Sequence, residues 1–154
     1  MAAPKVSLEI VSPRTLAAVR RRVAIGGIGA AWKPALDLVW AFLRTQPGLR
    51  VDGHNVFLYH HGAGRSAPME IDFGVEVTHA FPENGEVRPC ETPAGEVAKA
   101  VHVGRYDSLK ETHDAIHAWC AANGHQIGGQ SWEIYGDWTA DESKLETTVV
   151  YLLA

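Results

Sequence analysis

At 154 residues, with 46% hydrophobic and 21% charged side chains, the chain is long enough for a real core and too apolar to be disordered. Its net charge of −4, with Arg20-Arg21-Arg22 as the only basic run, argues against direct nucleic-acid binding, which needs a basic surface. No apolar run approaches a membrane span and the amino-terminal stretch has no signal-peptide core, so a cytoplasmic protein without membrane contact is expected.

Val6 to Val11 alternates apolar and polar residues and predicts a first strand, broken at Pro13. Thr15 to Ile25 predicts a second, entering Gly26-Gly27-Ile28-Gly29. A helix over 30–45 follows, with Leu36, Val39, Trp40 and Leu43 at helical spacing. Pro34 is placed in its first turn, where a missing N–H costs little, and Pro47-Gly48 stops it. Val51 to His61 predicts a strand and Gly62 to Ser66 a turn. Met69 to Phe81 sets Ile71, Phe73, Val75 and Val77 against Glu70, Asp72, Gly74 and Glu76, the pattern of a half-buried strand. After an extended segment over 86–91, Thr92-Pro93-Ala94-Gly95 reads as a joint between halves.

The second half opens on a strand over 96–103. Ser108 with Glu111 makes a capping box for a helix whose face carries Leu109, Ile116, Trp119 and Cys120. Asn123-Gly124 caps its end. Trp132 to Trp138 and Lys144 to Leu153 predict the last two strands, with a polar loop between them. Cys120 falls on the helix as a buried, reduced thiol, and with Cys90 as the only other cysteine nothing suggests a disulfide framework.

The two halves repeat. Val23-Ala24-Ile25-Gly26 lines up with Val101-His102-Val103-Gly104, Val56-Phe57-Leu58-Tyr59 with Trp132-Glu133-Ile134-Tyr135, and Glu70 with Glu146. The expected architecture is therefore α+β: two β-α-β-β repeats, roughly 14–81 and 95–154, related by a pseudo-two-fold. Their sheets are expected to be mainly antiparallel, in a single domain with a central ligand cleft.

Four stretches carry a likeness to a known family. They are Leu16-Ala17-Ala18-Val19-Arg20 ahead of Gly26, the run from Val101 to Leu109, Trp132-Glu133-Ile134-Tyr135, and Leu145 to Leu152. In order and spacing the chain resembles the GyrI-like family, also called the AraC-type effector-binding or SOUL-like domain. The resemblance implies a cleft for amphipathic organic molecules, often cationic, with a buried acid receiving the charge; Glu133 or Glu146 would be that acid. Many relatives carry a helix-turn-helix domain ahead of this one. The present chain leaves no room for it, so a complete one-component regulator is not expected. It also departs from the family at its end, where Leu152-Leu153-Ala154 replaces a proline-containing segment.

Strand alternation puts Glu133, Tyr135 and Asp137 on one face and Trp132, Ile134 and Trp138 on the other. The more apolar set is expected against the second helix, leaving Glu133 and Tyr135 to the cleft with Phe57 and Tyr59 as repeat counterparts. The candidate ligand-binding set is Phe57, Tyr59, Trp132, Glu133, Tyr135, Trp138 and Glu146. An ionised carboxylate among rings is a cation receptor. Two carboxylates in one apolar cleft would split their pKa values and serve as general acid and base, with Glu133, Glu146 and Tyr135 catalytic. Both arrangements fit.

No cofactor and no metal is expected. His113 and His117 have the four-residue spacing of a metal pair, but no third ligand is evident, so they read as a helix-surface pair. His60-His61 reads as exposed, and Gly27-Ile28-Gly29 lacks the third glycine of a dinucleotide fingerprint. Three functions remain open: binding of a planar, amphipathic or cationic compound; hydrolysis of reactive electrophiles, as the resemblance suggests for cyclopropane-type alkylators; and inhibition of a partner protein, which rests on family analogy alone.

Overall fold

The computed structural model describes residues 4–24, 26–61 and 68–154. The strand end expected at Ile25 and the turn expected at Gly62 to Ser66 lie outside the described residues. In chain order the elements are β1 (Ser7–Val11), β2 (Thr15–Val23), α1 (Ile28–Leu43), β3 (Arg50–His60), β4 (Met69–Val77), β5 (Arg88–Glu91), β6 (Gly95–Val103), α2 (Leu109–Ala122), β7 (Ile127–Tyr135) and β8 (Glu146–Leu153). The chain forms two compact units, Pro13–Thr92 and residues 4–12 with Pro93–Ala154. Among the described residues no helix is long and apolar enough to cross a membrane.

In Pro13–Thr92 the strands pair in the order β3-β4-β2-β5, every pair antiparallel. The α1 helix packs on β2 and β4 and buries Ala35, Leu36, Val39, Phe42 and Leu43, one stripe at helical spacing. It starts earlier than expected because the Gly27 carbonyl accepts from the N–H groups of Ala30 and Ala31. Pro34 therefore sits in the second turn, not the first, and forfeits an intrahelical bond. Trp40 is half-buried rather than core: its indole N–H donates to Asn55 Oδ1 at 3.1 Å and Arg50 lies over its ring. Where β4 crosses β2, a side chain at Gly74 would meet the Ala17 carbonyl at 2.7 Å, so only glycine fits.

In the other unit the order is β1-β6-β8-β7, again all antiparallel. The α2 helix covers β6 and β8. Leu109, Ile116 and Cys120 meet Ala98 and Ala100 of β6 and Val149 and Tyr151 of β8. The two alanines let the helix approach the sheet closely. The helix ends as expected: Gly124 takes φ +74°, and the His125 N–H reaches back to the Cys120 carbonyl at 2.9 Å. Its start differs. Tyr106–Ser108 forms a 3-10 turn, and Ser108 Oγ donates to the Arg105 carbonyl instead of capping α2. Each unit thus runs strand, helix, strand, strand with antiparallel pairing, the α+β class that the sequence predicts.

Candidate functional site

Three strand positions build the site. On β7, Ser131, Glu133 and Tyr135 share a face by alternation, and they stand opposite Tyr151, Val149 and Thr147 of β8. Val149 and Tyr151 touch α2, so this is the helix-covered face. The expectation that Trp132 and Ile134 pack on α2 is reversed. The apolarity of β7 alone does not decide the matter, because β6 and β8 supply most of the surface that the helix covers.

Glu133 is consequently a buried carboxylate, 4% exposed. Burying a charge is costly unless hydrogen bonds replace the lost water. Here the Tyr135 hydroxyl donates to Oε1 at 2.7 Å. His113 Nε2 lies 2.6 Å from Oε2, and its Nδ1 lies 2.6 Å from the Tyr151 hydroxyl. With Glu133 ionised, the carboxylate only accepts and the proton of this contact sits on Nε2. In the neutral ring Nδ1 then accepts from Tyr151; in the imidazolium it donates. The Tyr151 hydroxyl also bonds Ser131, so it has a second partner when its role reverses. Burial, and behind it the charge of Glu133, pushes the Tyr151 hydroxyl far above the ordinary phenol value, which keeps it protonated.

Aromatic rings surround the chain of bonds. Tyr106 meets Tyr135 edge-on at 5.5 Å, and His117 meets Tyr151 at 4.9 Å. Tyr106 is 43% exposed, and His113 and Tyr135 are half-buried. Thr147, fully buried opposite Tyr135, carries the one buried side-chain oxygen among the described residues without a hydrogen-bond partner.

Of the residues singled out in the sequence, the structure brings together Glu133 and Tyr135. Glu146 is exposed and faces the other way, because Thr147 and Val149 are the β8 residues in register with Tyr135 and Glu133. The expected two-carboxylate acid–base pair is therefore not assembled. Trp132 is buried on the opposite sheet face, and Trp138 lies beyond β7, 75% exposed. Phe57 and Tyr59 are buried in the Pro13–Thr92 unit, where Phe57 packs edge-on to Phe73 at 4.8 Å and touches Trp32.

Tyr151 and Tyr106 were not singled out by sequence, and His113 only as half of a helix-surface pair. The reading of His113 and His117 as a surface pair fails for His113: it follows Leu109 by four residues and precedes Ile116 by three, on the buried stripe. That spacing was the available signal.

A second buried carboxylate lies in the other unit. Asp72 was expected on the open side of a half-buried strand but is 1% exposed. Arg20 holds it with two bonds, Nε to Oδ1 at 2.8 Å and Nη2 to Oδ2 at 2.9 Å, and His60 Nε2 lies 2.7 Å from Oδ2. Burial pushes the Asp72 carboxyl up, but the bonds from Arg20 and His60 and their charge outweigh it and leave it below the usual carboxylate value. Arg20 is thus tied down, and His60 is partly buried rather than exposed.

The family model of the GyrI-like small molecule binding domain matches residues 4–152, and the chain belongs to that family. No curated protein matches it. Among solved structures, the C-terminal domain of EcmrR is similar with a TM-score of 0.82 at 19% identity, covering 99% of each chain. SAV2435 bound to tetraphenylphosphonium has a TM-score of 0.73 at 11% identity, covering 97% of this chain and 94% of that one. A hydrolase from Listeria innocua has a TM-score of 0.66 at 14% identity, covering 97% and 92%. At these identities the likeness is one of fold.

Proposed function

We propose that this GyrI-like domain binds an amphipathic organic cation at the Glu133 face of its carboxy-terminal unit. The observation that carries the reading is the buried Glu133 carboxylate, oriented by Tyr135 and His113, with the half-exposed Tyr106 ring against Tyr135. A carboxylate held by existing donors needs no reorganisation to receive a charge, and the ring faces attract cations. The tetraphenylphosphonium in the SAV2435 structure is a compound of this class and supports the choice of probe.

The test is titration of tetraphenylphosphonium, followed by tryptophan fluorescence and calorimetry. Glu133→Gln should weaken binding about tenfold or more, the equivalent of about 1.4 kcal/mol. Glu146→Gln should leave it unchanged, since that side chain is exposed on the other face. Equal affinity in wild type and Glu133→Gln overturns the reading.

A second reading has one observation in its favour. A buried carboxylate 2.6 Å from an imidazole resembles the acid–base pairs that activate water. In that case Glu133 would take the proton of an attacking water, and Tyr135 would protonate the leaving group of an electrophilic substrate. Mass spectrometry of a cyclopropane-type alkylator after incubation decides it: a rate equal to buffer alone removes hydrolysis.

A further inference from the structure

His113 links the Glu133 carboxylate to the Tyr151 hydroxyl through an imidazole ring. Imidazole is the side chain whose ordinary titration falls between pH 5 and 8. His113 shares Oε2 of Glu133 at 2.6 Å, so the pair carries a net charge of −1 when the ring is neutral and 0 when it is an imidazolium. A carboxylate that answers an adjacent imidazolium has no net charge left for a ligand.

We propose that His113 is the residue that sets the charge selectivity of this site, so that a bound organic cation and the second proton of His113 exclude one another. The inference rests on the reading of Glu133 as the ligand's acceptor and adds its regulation. A monocation beside Glu133 would stand within a few ångströms of the imidazolium, and the burial of Glu133 leaves charges beside it weakly screened. Binding of the cation therefore releases the proton from Nδ1 to solvent, leaving the proton on Nε2 in its bond to Glu133. The local bonds permit this without moving the ring. On loss of the Nδ1 proton the Tyr151 hydroxyl donates to Nδ1. Conversely, a neutral ligand gains nothing from deprotonation of His113. The site would thus take organic cations above the imidazole range and lose its preference for them below it.

Other titratable groups stand near His113 on the elements packed against it. On β7 these are Glu133 itself and, through it, the Tyr135 phenol. On β8 the neighbour is Tyr151, held protonated. On α2, Asp114 is bonded to Lys110 at 2.7 Å, which holds its carboxyl below the usual value and so ionised throughout. His117 packs against the Tyr151 ring and is the one further imidazole on this helix face. On β6, His102 turns to Thr112 and the Arg105 carbonyl.

The experiment measures tetraphenylphosphonium affinity from pH 5.5 to 8 by calorimetry, in two buffers of different ionisation enthalpy that count the protons released. Triphenylphosphine oxide serves as a neutral probe of similar shape. Wild type should bind the cation about tenfold more tightly at pH 8 than at pH 5.5, releasing a proton at the acid end, while the neutral probe shows a flat profile. His113→Gln, whose amide can still donate to Glu133, should flatten the cation's profile; His113→Asn is the second variant, and circular dichroism checks that both fold. His117→Gln should keep the wild-type slope.

A flat wild-type profile with tight binding overturns the inference and leaves the binding reading intact. A His113→Gln profile that keeps the wild-type slope overturns the assignment to His113. No binding of either probe at any pH removes the reading of Glu133 as acceptor, and the inference with it.

Discussion

Replacing Asp72 by asparagine keeps the side-chain volume and removes one charge, so it isolates the electrostatic part of the Arg20–Asp72–His60 cluster. Asp72 is 1% exposed, with two bonds from Arg20 and one contact to His60. Breaking a fully buried pair costs about 3–5 kcal/mol, because the surviving charge is stranded. Here the Arg20 side chain is 35% exposed, so water re-solvates part of its charge. That discount brings the expected loss to about 2–3 kcal/mol at pH 7. For a domain of this size it corresponds to a fall in Tm of about 5–10 °C. The pH dependence follows from the direction of the shift. The Asp72 carboxyl is held below its usual value in the folded state, so the folded state gains stability once pH exceeds the unfolded value of about 3.9. The gain is lost as pH falls through the lower folded value. Urea denaturation of both proteins should thus show a gap that is full at pH 7 and closes below about pH 4. A gap under about 0.5 kcal/mol at pH 7, or one of constant size down to pH 2.5, refutes the reasoning.

Three further outcomes are open to measurement. Gly74→Ala should lose about 1–3 kcal/mol in urea denaturation, because the new methyl meets the Ala17 carbonyl at 2.7 Å and the Ala18 Cβ at 2.9 Å, both rigid strand atoms. Thr147→Val should gain about 1 kcal/mol in the same assay, since it removes a buried hydroxyl that has no partner. Cys90 is held as a thiol by burial, which pushes it up to about 12, and Cys120 is 1% exposed. At pH 8 iodoacetamide should therefore modify neither in the native protein while modifying both in denaturant, as intact mass would show.

Element type was legible in the sequence because hydrophobic period carries it: β4 alternates, and α1 and α2 bury one stripe each. The relation of side chains to neighbouring elements was less legible. Glu133 could be picked out as an acid among rings, but its face depends on Ala98, Ala100, Val149 and Tyr151, which lie on other strands. Asp72 looked like an ordinary outward position because the guanidinium that permits its burial is 52 residues away. His113 was the exception. Its place between Leu109 and Ile116 on the buried stripe was visible, but with His117 four residues on it was read as half of a helix-surface pair.

The two buried carboxylates show how partner chemistry separates structure from function. Asp72 is bound by a guanidinium, which stays charged at any pH a folded protein meets. Its charge is committed, and its removal should be read in stability. Glu133 shares its oxygens with a phenol, which is neutral, and an imidazole, which is neutral or charged according to pH. Its charge is answered conditionally. A carboxylate of the second kind is the one that a ligand can address, since the free energy of neutralising it is only partly spent in the free protein. On this argument Glu133→Gln should move cation affinity far more than folding stability, whereas Asp72→Asn should do the reverse. Equal losses of stability in the two variants, with unchanged affinity in Glu133→Gln, would mean that both carboxylates are structural and that the difference between their partners has no bearing on binding.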